Sequence, residues 1–300
     1  MKVAVTGSTG LIGSAVVDAL RTRGDEVTRL VRGTPQTGEV RWDPDSGQIE
    51  AAALEGHDAV VHLAGAGIGD RRWTAEHKRA VFDSRVKGTT LLSRTLAALK
   101  DKPTVMASAS ALGYYGLRGD EVLTEDAGPG SGFLADLCQQ WEASTAEAET
   151  AGVRVVHFRT GLVLSPQGGA LQRMLLPFKL GLGGRIGSGR QWWSWISIDD
   201  EVGAILHLID GDNGPGPRNL TAPNPVTNEQ FTRTLNGVLR RPTLLATPTF
   251  ALKAMFGGEM VDEMFLGGQR AVPARLQADG YAFRHPELEG ALRQVLHKRA

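Results

Sequence analysis

The chain has 300 residues, enough for one large α/β domain with a smaller lobe, and its 33 lysines and arginines balance 33 aspartates and glutamates, so no global charge draws it to nucleic acid or an anionic membrane. Cys138 is the only cysteine, which excludes an internal disulfide and fits a reducing compartment, and the seven histidines form no ligand-like cluster, so no metal site is expected. There is no eighteen-residue apolar run to span a membrane, and the first residues read as strand, turn and helix rather than a signal peptide, so a cytoplasmic protein is expected.

In chain order, Val3 to Val5 reads as a buried strand. Gly7, Gly10 and Gly13 follow at G-x-x-G-x-x-G spacing, and a helix then places Leu11, Ile12, Val16, Val17 and Leu20 on one face. Gly7 turns the chain out of the strand, Gly10 lets backbone approach a pyrophosphate, and Gly13 lets the helix pack close to the sheet. The helix N-terminus, with Thr9, Gly10, Leu11 and Ile12, offers unpaired N–H groups to phosphate. Placed between a strand and a helix, the triplet predicts a bound dinucleotide.

The helix ends near Gly24, and 26–31 returns as a second strand. Segment 58–64 (DAVVHLA) is a third, 74–100 one long helix, 104–108 a fourth strand, 134–150 a helix that Gly152 ends, and 153–158 a further strand. This alternation predicts an α/β fold, a Rossmann-type doubly wound parallel sheet. After Ser165, glycine-rich loops surround a short helix at 170–180. A sheet-covering helix at 199–209 and a late strand at 218–221 follow, then a helix to Leu239 opened by a Thr227/Gln230 capping box, and a last helix ending near His297. The expected division is a dinucleotide-binding domain over 1–165, with 196–224 returning to it, and a small C-terminal lobe over 166–195 and 225–300. A small-molecule substrate would lie between the carboxyl ends of the strands and this lobe.

The end of strand two identifies the dinucleotide. An acidic residue there would hold ribose hydroxyls, but this chain has Arg29 and Arg32, the latter nineteen residues after Gly13. A guanidinium clamps a 2′-phosphate that a carboxylate would repel, so NADP(H) is expected.

These motifs resemble an extended short-chain dehydrogenase/reductase, the class that includes nucleotide-sugar epimerases. TGSTGLIG (6–13) is similar to its cofactor fingerprint, and DAVVHLAG (58–65) to the element whose Leu63, Ala64 and Gly65 approach the riboses. WISIDDEVGAI (195–205) is similar to its V-D-D-V-A element. DSRVKGT (83–89), SASALGYYG (108–116), GFLADLCQQWE (132–142), GRQWWSWI (189–196) and GGQRAVPARL (267–276) narrow the resemblance to an epimerase-like subfamily with a C-terminal domain of unknown function. Arg85 and Ser108 complete the candidate cofactor-binding residues. The resemblance also implies pairing of subunits through the helices at 74–100 and 134–150; homodimer and monomer both stay open.

The chain departs from that superfamily where the chemistry should be. The resemblance calls for a tyrosine and, four residues later, a lysine that lowers its pKa and holds the nicotinamide ribose; here those positions are Phe133 and Leu137. The partner serine slot falls on Ala111, or on Ser110 if one residue is inserted. Trp193 replaces an arginine that grips the pyrophosphate of nucleotide sugars. Ser110, Tyr114 and Tyr115, just past a strand's carboxyl end, are the candidate catalytic residues, although packing the loop and lining the pocket is the commoner role for such a tyrosine pair. His157 and Cys138 read as core residues. Two functions follow: an NADP(H)-dependent oxidoreductase or epimerase acting on a small carbonyl or alcohol, or an NADPH-binding redox sensor or scaffold without turnover.

Overall fold

The computed structural model describes residues 1–242 and 246–297. Its main sheet holds β1 (Lys2–Thr6), β2 (Glu26–Val31), β3 (Glu39–Asp43), β4 (Gln48–Ile49), β5 (Ala59–His62), β6 (Val105–Ala111), β7 (Arg154–Thr160) and β8 (Gly216–Leu220), in the order β8-β7-β6-β5-β1-β2-β3-β4. Every neighbouring pair is parallel except the β3–β4 hairpin. The strand order reverses between β1 and β5. Ligands of doubly wound sheets bind at such a switch point, beyond the carboxyl ends of the strands.

The helices that position the cleft are α1 (Leu11–Arg23), α2 (Ala75–Ala98), α3 (Phe133–Ala143), α4 (Ala146–Thr150), α5 (Gly169–Lys179), α6 (Ile198–Asp210) and α7 (Asn228–Leu239). Alternate residues along a strand face opposite sides. Thus Val3, Val5, Val61, Ala107 and Phe158 bury against Val16, Leu20, Ile205 and Leu208 of α1 and α6. Ala4, Val60, Met106 and Val155 bury against Leu92 and Leu96 of α2 on the other side.

The helix expected over 134–150 is two helices. Ser144 Oγ donates to the Gln140 carbonyl at 2.7 Å and Thr145 Oγ1 to that of Glu142 at 2.8 Å, and such back-bonding competes with the helix ladder. The β3–β4 hairpin was not anticipated from the sequence. The capping box at Thr227 and Gln230 forms as expected, with both reciprocal bonds present.

A second core lies beyond the sheet, where Leu171, Leu175, Phe178, Trp195, Phe231, Leu235 and Leu292 pack together. Asp200, at the start of α6, joins it to the sheet. Its buried carboxylate accepts from the backbone of Arg284 (2.7 Å) and His285 (2.9 Å) and from Ser197 Oγ (2.9 Å). Asp200, the second aspartate of the 195–205 motif, thus builds structure. No helix among the described residues is long and apolar enough to cross a membrane.

Candidate functional site

The glycine turn closes directly over the switch point. Gly7 has φ +65°, and a Cβ on it would lie 2.6 Å from the backbone of Leu63 at the end of β5. A Cβ on Gly13 would run into the Gly7 carbonyl, so both glycines are required by contact as well as by conformation. Gly10 caps α1 without a side-chain hydrogen bond, and the first turn carries no acid. The N-terminus of α1, with Thr9 and Gly10 exposed and Leu11 and Ile12 half-buried, is therefore left open to an anion.

A buried hydrogen-bonded chain holds the β5 side of this cleft. Thr6 Oγ1 accepts from the amides of Leu63 (3.1 Å) and Ala64 (3.2 Å), so its proton goes to His62 Nδ1 at 2.7 Å. His62 Nε2 then donates to Thr89 Oγ1 at 2.9 Å, which also accepts from Trp141 Nε1 at 3.0 Å. Burial pushes the His62 imidazole down to about 4, so it works as a neutral bridge. Gly65, exposed just beyond, lies against the Arg85 side chain.

At the end of β2, Arg29 Nε donates to Ser8 Oγ in the glycine turn at 3.0 Å, and its Nη1 pairs with Glu39 at 3.2 Å. Arg32 is exposed and has no hydrogen bond or ion pair among the described residues. One arginine thus braces the turn while the other is free for a ligand. Ser108 lies deeper than the cofactor candidates around it. It is fully buried in β6, in register with His62 and His157, and its Oγ has no partner among the described residues.

The candidate catalytic residues meet around an ion pair that the sequence did not reveal. Arg159 Nε and Nη2 each donate to Glu142 at 2.8 Å, Ser110 Oγ donates to Glu142 at 2.6 Å, and Arg159 Nη1 donates to Tyr115 Oη at 3.0 Å. Tyr115 Oη donates onward to Asn219 at 2.7 Å. Burial raises the Tyr115 phenol, and its ring has no exposed surface. Burial also disfavours the Glu142 carboxylate, but the hydrogen bonds and charge of Arg159 outweigh it and hold the carboxyl below its usual range. Tyr114 is half-buried, with its ring 3.4 Å from the Arg159 guanidinium carbon. Of the three candidates, Tyr114 is the one whose hydroxyl has no hydrogen-bond partner among the described residues.

The helix position expected for a catalytic tyrosine is held by a packed, half-buried phenylalanine. Phe133 packs edge-on against Trp73 at 5.0 Å and beneath Lys78 Nζ at 5.1 Å, and Leu137 is buried. The C-terminal segment reaches in here. Glu263 accepts from the amides of Phe133 (3.1 Å) and Leu134 (2.9 Å), capping α3 from outside, and Glu259 pairs with Lys78 at 2.8 Å. Burial pushes the Cys138 thiol up to about 12, the state of an inert packed thiol. The three tryptophans of 192–195 divide: Trp195 is core, Trp193 packs on Phe231, and Trp192 meets Arg270 and Asp120. A groove of about 1170 Å³ between α2 and the β3–β4 hairpin shares no residue with this cleft.

Known proteins place this geometry. The model of the NAD dependent epimerase/dehydratase family matches residues 3–221, and that of a domain of unknown function (DUF1731) matches residues 247–295. An epimerase family protein of Mycobacterium bovis is 47% identical over 292 residues, covering 97% of this chain and 96% of its own. A crystal structure of the human epimerase family protein SDR39U1 with NADPH superposes with TM-score 0.91 at 36% identity, covering 99% of each chain. The nucleoside-diphosphate sugar epimerase from Corynebacterium glutamicum superposes with TM-score 0.82 at 36% identity over all of this chain and 59% of its own.

Proposed function

The chain belongs to the NAD dependent epimerase/dehydratase family, and on that premise we propose that it is an NADP(H)-dependent oxidoreductase or epimerase acting on a small carbonyl or alcohol. The observation that carries this reading is the N-terminus of α1, without a side-chain cap, over the β1/β5 switch point, with Arg32, exposed and unpaired among the described residues, at the end of β2. The human relative's structure with NADPH supports the same cofactor.

The residues present fit that group. Gly7, Gly10 and Gly13 leave the space, the amides of Leu11 and Ile12 would hold the pyrophosphate, and Arg32 would hold the 2′-phosphate. Leu63, Ala64 and Gly65, fixed through Thr6 and His62, line the nicotinamide side. When bound, the nicotinamide gives or takes a hydride. Tyr114 moves the accompanying proton, because Ser110 and Tyr115 are committed to Glu142, Arg159 and Asn219.

The alternative, a non-catalytic NADPH-binding sensor or scaffold, is supported by Phe133 and Leu137, neither of which can carry a proton. The test is oxidation of NADPH by the full chain across a panel of aldehydes, ketones and quinones. Substrate-dependent loss of nicotinamide fluorescence supports the enzyme. Tight NADPH binding with no turnover on any carbonyl selects the sensor.

A further inference from the structure

One cation of this cleft, Arg85, has no ion pair among the described residues. Arg85 reaches from α2 to the loop after β5, where its Nη1 donates to the Ala66 carbonyl at 2.9 Å, and the same nitrogen donates to the Val81 carbonyl of its own helix at 3.2 Å. Its Nε and Nη2 have no hydrogen-bond partner among the described residues, and the side chain is half-buried. The guanidinium carbon sits 4.9 Å from the ring centre of Trp141 on α3, which fixes its plane. It also flanks Gly65, where a Cβ would come within 3.1 Å of it.

The neighbourhood is that of the candidate proton-transfer residues. The Cys138 thiol lies close enough to feel the Arg85 charge on one side and the Ser110 hydroxyl on the other. Asp83, on the same helix, is paired with Lys87, and Glu142, which also faces the Cys138 thiol, is paired with Arg159. Burial pulls the guanidinium down to about 10, the mark of a charge the protein itself does not offset. A guanidinium with two open N–H groups matches an oxyanion bidentately, and neutral hydroxyls would leave its charge uncompensated.

We propose that Arg85 is an oxyanion-binding residue of the reaction centre, receiving a phosphate or carboxylate that arrives with the ligand beside the nicotinamide. The inference rests on the NADP(H) reading for its setting. Two sources carry this chemistry: the nicotinamide-side phosphate of the cofactor, and an anionic group on the substrate.

Calorimetric titration of wild type, Arg85→Gln and Arg85→Lys separates them. The titrants are adenosine 2′,5′-bisphosphate, NADPH, and inorganic phosphate or oxalate added to free and to NADP⁺-saturated protein. Arg85→Gln should bind the bisphosphate, which covers only the adenosine end, as wild type does. A loss of about tenfold or more for NADPH identifies the cofactor phosphate as the source. An unchanged NADPH affinity with a similar loss for oxalate or phosphate on the saturated protein identifies a substrate anion. Arg85→Lys, which keeps the charge, should lose less in the affected titration.

The proposal is overturned if Arg85→Gln matches wild type in every titration, or if it loses the bisphosphate equally. Wild type that binds no nucleotide defeats the cofactor reading instead. In that case the phosphate and oxalate titrations of the free protein still decide the role of Arg85.

Discussion

Glu142 and Arg159 meet through two parallel hydrogen bonds of 2.8 Å, with side chains only 13% and 4% exposed, and this pair organises the whole candidate active site. It holds Ser110 on the carboxylate side and Tyr115 on the guanidinium side, and it lies under the Tyr114 ring. Removing one partner leaves a buried uncompensated charge. Arg159→Met should therefore destabilise the fold by about 3–5 kcal/mol, measured by urea unfolding. A loss below about 1 kcal/mol, the range of exposed pairs, would show that the pair is not sealed from water.

The two adjacent tyrosines should separate by experiment. Tyr114→Phe should lower kcat by about 10²–10⁴-fold with NADPH affinity unchanged, the usual contribution of a positioned proton donor. Tyr115→Phe should mainly cost stability, about 1–3 kcal/mol, because Asn219 and Arg159 each lose a buried partner. The reverse pattern would move the proton-transfer role to Tyr115.

The sheet and its cofactor turn were legible because both are local. Apolar runs of four to seven residues separated by amphipathic helices announce parallel strands, and Gly7, Gly10 and Gly13 are constrained by neighbours within a few residues or by one adjacent strand. The Glu142–Arg159–Tyr115–Asn219 chain joins residues on α3, β7, the turn after β6 and β8, and no periodicity links them. The β3–β4 hairpin escaped notice because β4 is only two residues long. The break at Ser144 and Thr145 depends on side-chain back-bonds that a helical pattern does not display.

Glu201 should give the protein a distinctive response to pH. Its carboxyl is fully buried, accepts from Thr160 Oγ1 at 2.9 Å, and has an Oε2 without a partner among the described residues. Burial pushes it up to about 8 from an ordinary 4.5, so between those values the folded state keeps a proton that the unfolded chain has released. Stability therefore falls as pH rises through this window, by up to about 1.4 kcal/mol per pH unit. His62, pushed down to about 4 from 6.5, acts oppositely: its contribution is lost as pH falls below 6.5. Between pH 6.5 and pH 8 Glu201 should cost about 2 kcal/mol of stability, and the difference in pH slope between wild type and Glu201→Gln reads that contribution directly. An identical pH slope in the variant would contradict the assignment.

Gly13→Ala tests the cradle itself. The added methyl meets the Gly7 carbonyl, so α1 must move off the turn. The expected result is a native circular-dichroism spectrum with NADPH affinity reduced by about tenfold or more, since the open amides of α1 no longer converge. Unchanged affinity would place the cofactor elsewhere.

The most direct test of the account is an equilibrium titration of wild type and Arg32→Ala with NADPH and with NADH, followed by nicotinamide fluorescence. Wild type should prefer NADPH, and Arg32→Ala should lose about 10–100-fold for NADPH, the worth of a charge-assisted contact to the 2′-phosphate, while NADH affinity barely changes. Equal losses for the two cofactors, or a wild type that does not distinguish them, would contradict it.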